Sequence, residues 1–181
     1  MPEIEIKLPI GPAEDAIRSI QDLGAHLVHE RTCEDNVLFD YPSRTLRSRG
    51  ALLRVRKLGN SGCITYKEPA PGPAGYKVRR EIESPVGSPD LIVRILESAG
   101  LERMWRYVKF RTAFSDGDLK VFVDEVPIGN FIELEGAPDA IDGFARRLGR
   151  SPSEYVRSTY WSLFMEWSEK SGVPAGDMLF G

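Results

Sequence analysis

Charged side chains recur at every second position in several short segments of this 181-residue sequence. Because residues two apart in a β-strand point to the same face, each such segment would have one ionic and one apolar side. Residues 3–8 set the pattern, with two glutamates and a lysine alternating with two isoleucines and a leucine. The same alternation recurs in residues 53–56, 64–67, 77–83, 108–111, 120–124 and 132–135. The chain is therefore expected to be rich in strands that have one strongly charged face.

These ionic faces are almost purely charged, with few serines, asparagines or glutamines among them. The acids are Glu3, Glu5, Glu81, Glu83, Asp124, Glu133 and Glu135. The bases are Lys7, Arg54, Arg56, Lys67, Arg79, Lys109 and Arg111. A single strand of this kind would normally turn its charges to water, so a β-sandwich with charged outer faces is one interpretation. The composition of the whole set instead favours faces that converge on a shared interior.

An interior of this composition would suit a particular kind of ligand. Buried charges are costly unless they are paired or bind ions. Phosphate oxygens accept hydrogen bonds from arginine and lysine, whereas Mg²⁺ takes carboxylate and phosphate oxygens. A triphosphate with Mg²⁺ would supply partners for both signs of charge. No aromatic or polar pocket for a purine can be read from the sequence.

The rest of the pattern predicts the elements that would position these faces. Two hairpins are expected, pairing 51–58 with 63–68 and 102–115 with 118–126. Three helical stretches are expected, at 12–23, at 88–100 and from Pro138 onward, with a restart at the capping-box spacing of Ser151 and Glu154. Apolar residues at helical spacing would cover the outer side of the strands: Ile17, Ile20, Leu23, Leu91, Ile95 and Leu96.

The segments outside these elements are expected to be less ordered. Residues 44–50 are predicted to be a loop in which Arg44, Arg47 and Arg49 are solvated, although they could also guide a substrate to the cavity. Residues 1–170 are expected to form the domain and residues 171–181 a C-terminal tail.

Bulk composition narrows the class of protein. Hydrophobic residues make up 41% and charged residues 28%, and the net charge of −3 gives no overall attraction to nucleic acid or an anionic membrane. No apolar run approaches the roughly 20 residues of a membrane-spanning helix. The two cysteines, Cys33 and Cys63, match no metal or redox spacing. The first residues do not form a signal peptide, and we expect a cytoplasmic protein.

An ordered series of motifs resembles the CYTH superfamily, also called triphosphate tunnel metalloenzymes. The N-terminal Glu3-Ile4-Glu5-Ile6-Lys7 resembles the ExExK signature of that family. The motifs that follow in the family's order are 53–56, 65–67, 79–83, 108–111, 124–126, 129–135 and 158–163. In the last of these, Thr159 separates the usual Ser-Tyr pair. The resemblance covers about residues 2–165.

This resemblance implies both a fold and a site. The fold would be α+β, an eight-stranded antiparallel barrel with helices packed outside. The resemblance implies that Mg²⁺ or Mn²⁺ is held by the acids Glu3, Glu5, Glu81, Glu83, Asp124, Glu133 and Glu135. It implies that the triphosphate is held by the bases Lys7, Arg54, Arg56, Lys67, Arg79, Lys109 and Arg111. The catalytic residues would be Glu5, Lys7, Arg56 and Lys67.

Three functions remain open at this point. The sequence favours metal-dependent hydrolysis of a triphosphate, which could be inorganic triphosphate, thiamine triphosphate or a nucleoside triphosphate. The chain length and the segment 35–40 resemble the class IV adenylate cyclase branch, which would convert ATP to cyclic AMP and pyrophosphate. The barrel could also bind polyphosphate or a nucleotide without turnover. By analogy with cyclases, a homodimer is possible.

Overall fold

The computed structural model describes residues 2–181, and its centre is a closed barrel of eight antiparallel strands. The strands are β1 (Glu3–Ile10), β2 (His26–Asp40), β3 (Leu52–Leu58), β4 (Ser61–Pro69), β5 (Lys77–Val86), β6 (Glu102–Asp116), β7 (Leu119–Val126) and β8 (Gly129–Glu135). Around the barrel they follow the order β1-β5-β4-β3-β2-β6-β7-β8. The predicted fold is therefore confirmed.

Glycine-containing turns join the strands of the two expected hairpins. Gly59 connects β3 to β4 and Gly117 connects β6 to β7, with φ values of 59° and 60°. Glycine adopts this left-handed region without steric cost, which allows a two-residue connection between antiparallel strands. The barrel closes where β1 pairs with both β5 and β8, as in the pairs Glu3↔Arg79 and Lys7↔Glu133.

Five α-helices and one 3₁₀ turn lie outside the barrel in the described part of the chain. The helices are α1 (Ala13–Asp22), α2 (Thr45–Ser48), α3 (Pro89–Ser98), α4 (Pro138–Arg147) and α5 (Tyr160–Ser171), and the 3₁₀ turn is Pro152–Glu154. Four of these helices lie in the three predicted helical stretches, with α4 and α5 both in the stretch from Pro138 onward, and only α2 was not expected. The expected loop at 44–50 contains α2, and the predicted restart at Ser151 yields only the 3₁₀ turn before α5 begins.

The apolar core lies between one side of the barrel and two of the helices. Ile20 of α1 and Phe144 of α4 are almost completely buried, and they belong to the same core cluster as Ile6 and Leu134 of the strands. Burying each such side chain contributes roughly 1.5–3 kcal/mol, so this outer layer is the main source of stability. The prediction that Ile20 covers the apolar faces is confirmed.

Helix α3 does not provide the cover that was expected of it. Leu91 and Ile95 remain 53% and 59% exposed, and Ile82 of the nearby strand β5 is 61% exposed. The helix contacts β3 and β4 but turns part of its apolar stripe to solvent. The predicted helix is confirmed and Leu96 is half-buried, whereas the prediction that Leu91 and Ile95 cover the strands is wrong. The expected homodimer stays a prediction.

The last residues of the chain pack against the barrel. The backbone N–H of Met178 donates to Arg106 O at 3.0 Å, and the N–H of Val108 donates to Met178 O at 3.0 Å. The Met178 side chain is buried beside Trp105 and Tyr107. The boundary at residue 170 stays a prediction, but residues of the expected tail make ordered contacts with β6.

None of the helices between residues 2 and 181 has the length and apolar character needed to cross a bilayer.

Candidate active site

The barrel encloses a cavity of about 750 Å³, here called the central cavity. Every predicted metal-binding or phosphate-binding residue except Asp124 contributes to its lining. The basic residues of the lining are Lys7, Arg47, Arg54, Arg56, Lys67, Lys77, Arg79, Lys109, Arg111 and Lys120. The acidic residues are Glu3, Glu5, Glu34, Asp40, Glu81, Glu83, Glu133 and Glu135. The ionic faces of the strands therefore do meet in one interior.

Strand β1 places an alternating row of charges along one wall of the central cavity. The Nζ of Lys7 donates to Glu5 Oε1 at 2.8 Å and lies 3.1 Å from Glu133 Oε2. The Nζ of Lys77 donates to the same Glu5 oxygen at 2.6 Å. Burial raises the pKa of Glu5, but the charges of Lys7 and Lys77 and a hydrogen bond with Glu3 together outweigh this and hold the pKa below its usual value. Glu5 is therefore an ionised carboxylate that is held by two lysines.

Asp124 lies behind the wall and orients two bases that face the cavity. It is fully buried, and its Oδ2 accepts from Lys109 Nζ at 2.9 Å and from the Tyr160 hydroxyl at 2.7 Å. Arg111 donates to both Asp124 oxygens at 2.6 Å and to Glu133 at 2.8 Å. Because all the near neighbours of this carboxylate are donors, its position favours a role in orienting bases over direct contact with a ligand.

Tyr160 extends this arrangement from the first turn of α5. The hydroxyl of Thr159 accepts from the backbone N–H of Ser162 at 3.1 Å, which caps the helix where Tyr160 enters the barrel. Burial and the Asp124 carboxylate raise the pKa of Tyr160 well above its ordinary value. Lys7 and Lys109 lie 5.2 and 5.5 Å from the centroid of its ring. Tyr160 therefore stays protonated and packs against two cationic side chains.

Glu3 of β1 and Glu81 of the neighbouring strand β5 form a pair of carboxyls that share a proton. Burial, together with hydrogen bonds to the carboxyls of Glu81 and Glu5, raises the pKa of Glu3 to about 9. Burial alone would also raise the pKa of Glu81, but its contacts with Glu3 and Lys67 lower that pKa to about 2. Lys67 Nζ lies 2.6 Å from a Glu3 oxygen and 2.9 Å from a Glu81 oxygen. One proton and the Lys67 ammonium therefore lie between Glu3 and Glu81, where a metal cation could bind.

Two buried arginines in the described residues keep part of their donor capacity unused. Arg54 donates to Thr65 at 3.2 Å, and Arg79 donates to the backbone oxygens of Gly50 and Lys67. The Nε of each is buried and makes no hydrogen bond. Buried polar groups in proteins are nearly always satisfied, so an oxyanion ligand is a reasonable partner for these donors.

Sequence reasoning missed Glu34 and Lys77. Glu34 lies 3.3 Å from Arg56 Nε and 3.5 Å from Lys109 Nζ. Burial raises its pKa, but the nearby bases lower it to about 2, so Glu34 is ionised. Lys77 shares the ionic face of Arg79, which was a usable signal. Glu34 lies where charges alternate on both faces of β2, so periodicity alone could not assign it.

One end of the central cavity is lined by apolar and aromatic side chains. Leu38, Met104 and Trp161 are partly exposed there, beside the buried ring of Trp105. The guanidinium of Arg47 lies 5.2 Å from the centroid of the Trp161 ring. We call Leu38, Met104, Trp105 and Trp161 the aromatic wall.

The three arginines of the 44–50 segment differ in their placement. Only Arg47 contributes to the cavity lining, whereas Arg44 pairs with Glu102 at 2.9 Å. Arg49 lies 3.9 Å from Glu68, with its side chain 62% exposed. All three arginines are exposed, as expected, and Arg47 in addition reaches the cavity.

The family model for the CYTH domain matches residues 1–160 of this chain. The chain belongs to the CYTH family. Several solved structures share its fold. The PH1012 protein of Pyrococcus horikoshii OT3 is 25% identical with a TM-score of 0.75, covering 89% of this chain and 98% of that one.

Two further CYTH-like structures carry names that describe activities. A candidate adenylate cyclase of Vibrio parahaemolyticus is 18% identical with a TM-score of 0.77, covering 91% of this chain and 98% of its own. HpAC1 from Hippeastrum, a candidate adenylyl cyclase with a dominant triphosphatase activity, is 17% identical with a TM-score of 0.62, covering 91% and 96%. At these identities the likeness shows the fold. A comparison with curated proteins gave no match.

Two acids of this CYTH cavity, Glu3 and Glu81, are placed to hold a divalent cation together with a phosphate ligand. Within residues 2–181, no three acidic, histidine or cysteine side chains are grouped as the ligands of a metal ion would be. The Glu3–Glu81 pair is nevertheless close enough to share a proton, and Lys67 bridges it. Mg²⁺ is commonly bound through one or two carboxylates plus substrate phosphates. The pair therefore suits a cation that binds together with a phosphate ligand.

Proposed function

We propose that this CYTH protein hydrolyses a triphosphate inside its barrel with the help of Mg²⁺ or Mn²⁺. The observation that carries the proposal is a central cavity lined by ten basic and eight acidic side chains, in which two buried arginines retain unused donors. A polyanion with a bound cation would satisfy both sets of charges, which otherwise pair only with each other.

The bases would act first by binding and orienting the phosphates. Arg54 and Arg56 share the ionic face of β3, and Arg111 and Lys109 line the cavity on β6, which is separated from β3 only by β2. Arginine forks match phosphate oxygens in two-point contacts, whereas lysine acts as a point charge. Positioning and charge stabilisation of this kind account for most of the catalysis of phosphoryl transfer.

The acids would hold the cation and keep the lysines in place. Glu3 and Glu81 are the pair best placed to hold it, and the ionised Glu5 lies beside them. When bound, Mg²⁺ or Mn²⁺ supplies charge neutralisation and a more acidic bound water. Lys67 would be released from the Glu3–Glu81 pair and become free to stabilise charge on the phosphates. Lys7 stays between Glu5 and Glu133 and can do the same.

Cyclisation of ATP is the second candidate reaction, and the aromatic wall is the observation that supports it. Several solved CYTH-like proteins bear adenylate cyclase names, and an apolar end beside the phosphate site would accommodate a nucleoside. In that reaction the ribose 3′-hydroxyl would attack the α-phosphorus and release pyrophosphate. A third possibility is binding without turnover.

Product analysis distinguishes these functions. The purified protein is incubated with ATP or tripolyphosphate and with Mg²⁺ or Mn²⁺, and the products are separated by anion-exchange chromatography. We expect orthophosphate and the shortened polyphosphate or nucleotide. If cyclic AMP and pyrophosphate form instead, the reaction is cyclisation and the proposal of hydrolysis is wrong. Tight tripolyphosphate binding with no product under any metal would support a binding module.

A further inference from the structure

Glu34 differs from the other buried carboxylates of the central cavity in its hydrogen bonding. Glu5, Asp124 and Glu133 each accept a hydrogen bond from a lysine or an arginine. The side chain of Glu34 is only 6% exposed, yet its Oε2 has no hydrogen-bond partner among residues 2–181. A buried, charged acceptor without a donor is costly. This oxygen is therefore best explained by a donor that enters the cavity with the substrate.

The two nearest bases do not supply the missing hydrogen bond. Arg56 Nε lies 3.3 Å from Glu34 Oε2 but donates its hydrogen to Asn36 Oδ1 at 3.2 Å. Lys109 Nζ lies 3.5 Å from the same Glu34 oxygen and donates to Asp124 at 2.9 Å. The side-chain amide of Asn36 donates to the backbone oxygen of Glu34 and not to its carboxylate. Glu34 is therefore attracted to these bases without being hydrogen-bonded to them.

The position of Glu34 puts this free oxygen beside the bases that would hold the phosphates. The charged neighbours of Glu34 are Lys109, Arg111, Arg56 and Arg54. Strand β2, which carries Glu34, lies four strands from β1 in both directions around the closed barrel. Glu34 therefore lies on the wall opposite Glu3 and Glu5, apart from the acids proposed to hold the cation.

The attacking water of a hydrolysis reaction can supply the missing hydrogen bond. The oxygens of an ionised triphosphate are acceptors, and a carboxylate repels them. A water molecule carries two O–H groups, so one of them can donate to Glu34 while a lone pair of the same oxygen faces the phosphorus. In phosphoryl transfer by protein kinases, an aspartate has the equivalent task and accepts the proton of the attacking hydroxyl.

We infer that the Glu34 carboxylate orients the attacking water in the central cavity and accepts its proton. The water oxygen forms a bond to the terminal phosphorus, while the bond from that phosphorus to the bridging oxygen breaks. The electron pair of the broken bond leaves with the bridging oxygen on the shortened polyphosphate, and the water proton goes to Glu34 and then to solvent. This inference rests on the proposed function, because it adds a catalytic residue to the same reaction.

The test separates this role from simple support of the neighbouring bases. Phosphate release from tripolyphosphate in Mg²⁺ is measured for the full-length wild type, Glu34→Gln, Glu34→Ala and Asp35→Asn. Calorimetry with tripolyphosphate and a chelator, where metal-dependent hydrolysis does not proceed, gives the affinity of each protein for the phosphates. Asp35→Asn is the matched control, since Asp35 is the adjacent carboxylate on the outer side of β2 and pairs there with Arg106.

Glu34→Gln should lower kcat about 10²-fold or more, because a positioned general base contributes about 10²–10⁴-fold. Its affinity for tripolyphosphate should equal or exceed that of the wild type, since a negative charge has been removed from beside the phosphates. Added formate should restore part of the activity of Glu34→Ala, because formate can take the place of the missing carboxylate and accept the proton. Asp35→Asn should match the wild type in rate and in affinity.

A fall of less than about fivefold in the kcat of Glu34→Gln would overturn the inference. An affinity that falls in parallel with kcat would also overturn it, because Glu34 would then only hold Arg56 and Lys109 in place. Retained binding of tripolyphosphate shows that the variant has folded. Failure of the proposed function gives a different result, since the wild type itself then releases no phosphate from any triphosphate. If the wild type hydrolyses tripolyphosphate and Glu34→Gln does so equally well, the inference alone fails.

Discussion

The two faces of strand β1 are equally buried and serve different purposes. Ile6 is fully buried on the outer face and Lys7 is 2% exposed on the inner face, although they are adjacent in the chain. Ile6 packs with the helices, whereas Lys7 lies between two carboxylates. Apolar burial is favourable by itself, but a buried ion pair roughly balances its own desolvation cost. Burial on the outer face therefore accounts for stability, and burial on the inner face is best explained by a ligand.

The largest expected effect is on turnover, from the inner face. Arg56→Ala should lower kcat/KM about 10²–10³-fold, because one pre-oriented donor to a transition state is worth about 3–4 kcal/mol. Steady-state phosphate release measures this change. Arg106→Ala is the matched control, since Arg106 pairs with Asp35 on the outside of β6 and does not line the cavity. Full activity in Arg56→Ala would remove this residue from the site.

The next effect is on stability, from the outer face. Ile6→Ala should lower the free energy of unfolding by about 2–4 kcal/mol, because it leaves a cavity in the core. Urea denaturation followed by circular dichroism gives this value. Ile82→Ala, at an exposed outer position, should cost less than about 0.5 kcal/mol. If the folded Ile6→Ala protein lost activity at 20 °C as well as stability, the assignment of stability to the outer face and turnover to the inner face would be wrong.

Ligand protection joins the two faces in one measurement. Tripolyphosphate with Mg²⁺, at about 100 times the dissociation constant, should raise the free energy of unfolding by about 2.7 kcal/mol. Ile6→Ala should keep this protection and Arg56→Ala should lose most of it. Thermal scans with and without ligand measure the difference. Equal protection of both variants would place the ligand outside the cavity.

The smallest expected effect is a pH dependence caused by Glu3. The pKa of Glu3 is raised to about 9 in the folded state from an ordinary value of 4.5. The folded protein therefore holds more protons than the unfolded chain between these values, and the contribution of Glu3 to stability declines as the pH rises. Glu34 and Glu81, with pKa values of about 2, change the stability only below pH 5. Lys77, with a pKa of about 8, changes it mainly above pH 8.

Between pH 5 and 8, the Tm of the metal-free protein should therefore fall, whereas that of Glu3→Gln should stay flatter. Each kcal/mol corresponds to roughly 2–4 °C for a chain of this size, and the gap between the two curves should widen steadily as the pH rises. Differential scanning calorimetry in the presence of a chelator measures both curves. Parallel curves would show that Glu3 does not hold the proton assigned to it.

The sequence predicted the inner face well because strand periodicity is a geometric rule. Once residues 3–8 alternate, the placement of Glu5 and Lys7 on one side follows from the backbone alone. A closed barrel was expected only from the family resemblance, and the pairing of β1 with β5 was not predicted, since no local signal pairs Glu3 with Arg79. Glu34 was not predicted to line the cavity, because β2 has charges on both faces.

The features that sequence reasoning missed depend on contacts between distant residues. The aromatic wall joins Leu38, Trp105 and Trp161 from three separate elements, and none of them has a distinctive local pattern. The exposure of Leu91 depends on how α3 sits on the barrel, which periodicity does not determine. The docking of Met178 likewise requires an unpaired stretch of β6 that is visible only in the fold.

A crystal structure with tripolyphosphate and Mn²⁺, with the metal located by anomalous scattering, tests the central claim most directly. We predict phosphates inside the barrel in contact with Arg54 and Arg56, and a manganese peak beside Glu3 and Glu81. An empty central cavity, with the ligand and the metal bound only on the outer surface, would contradict the account.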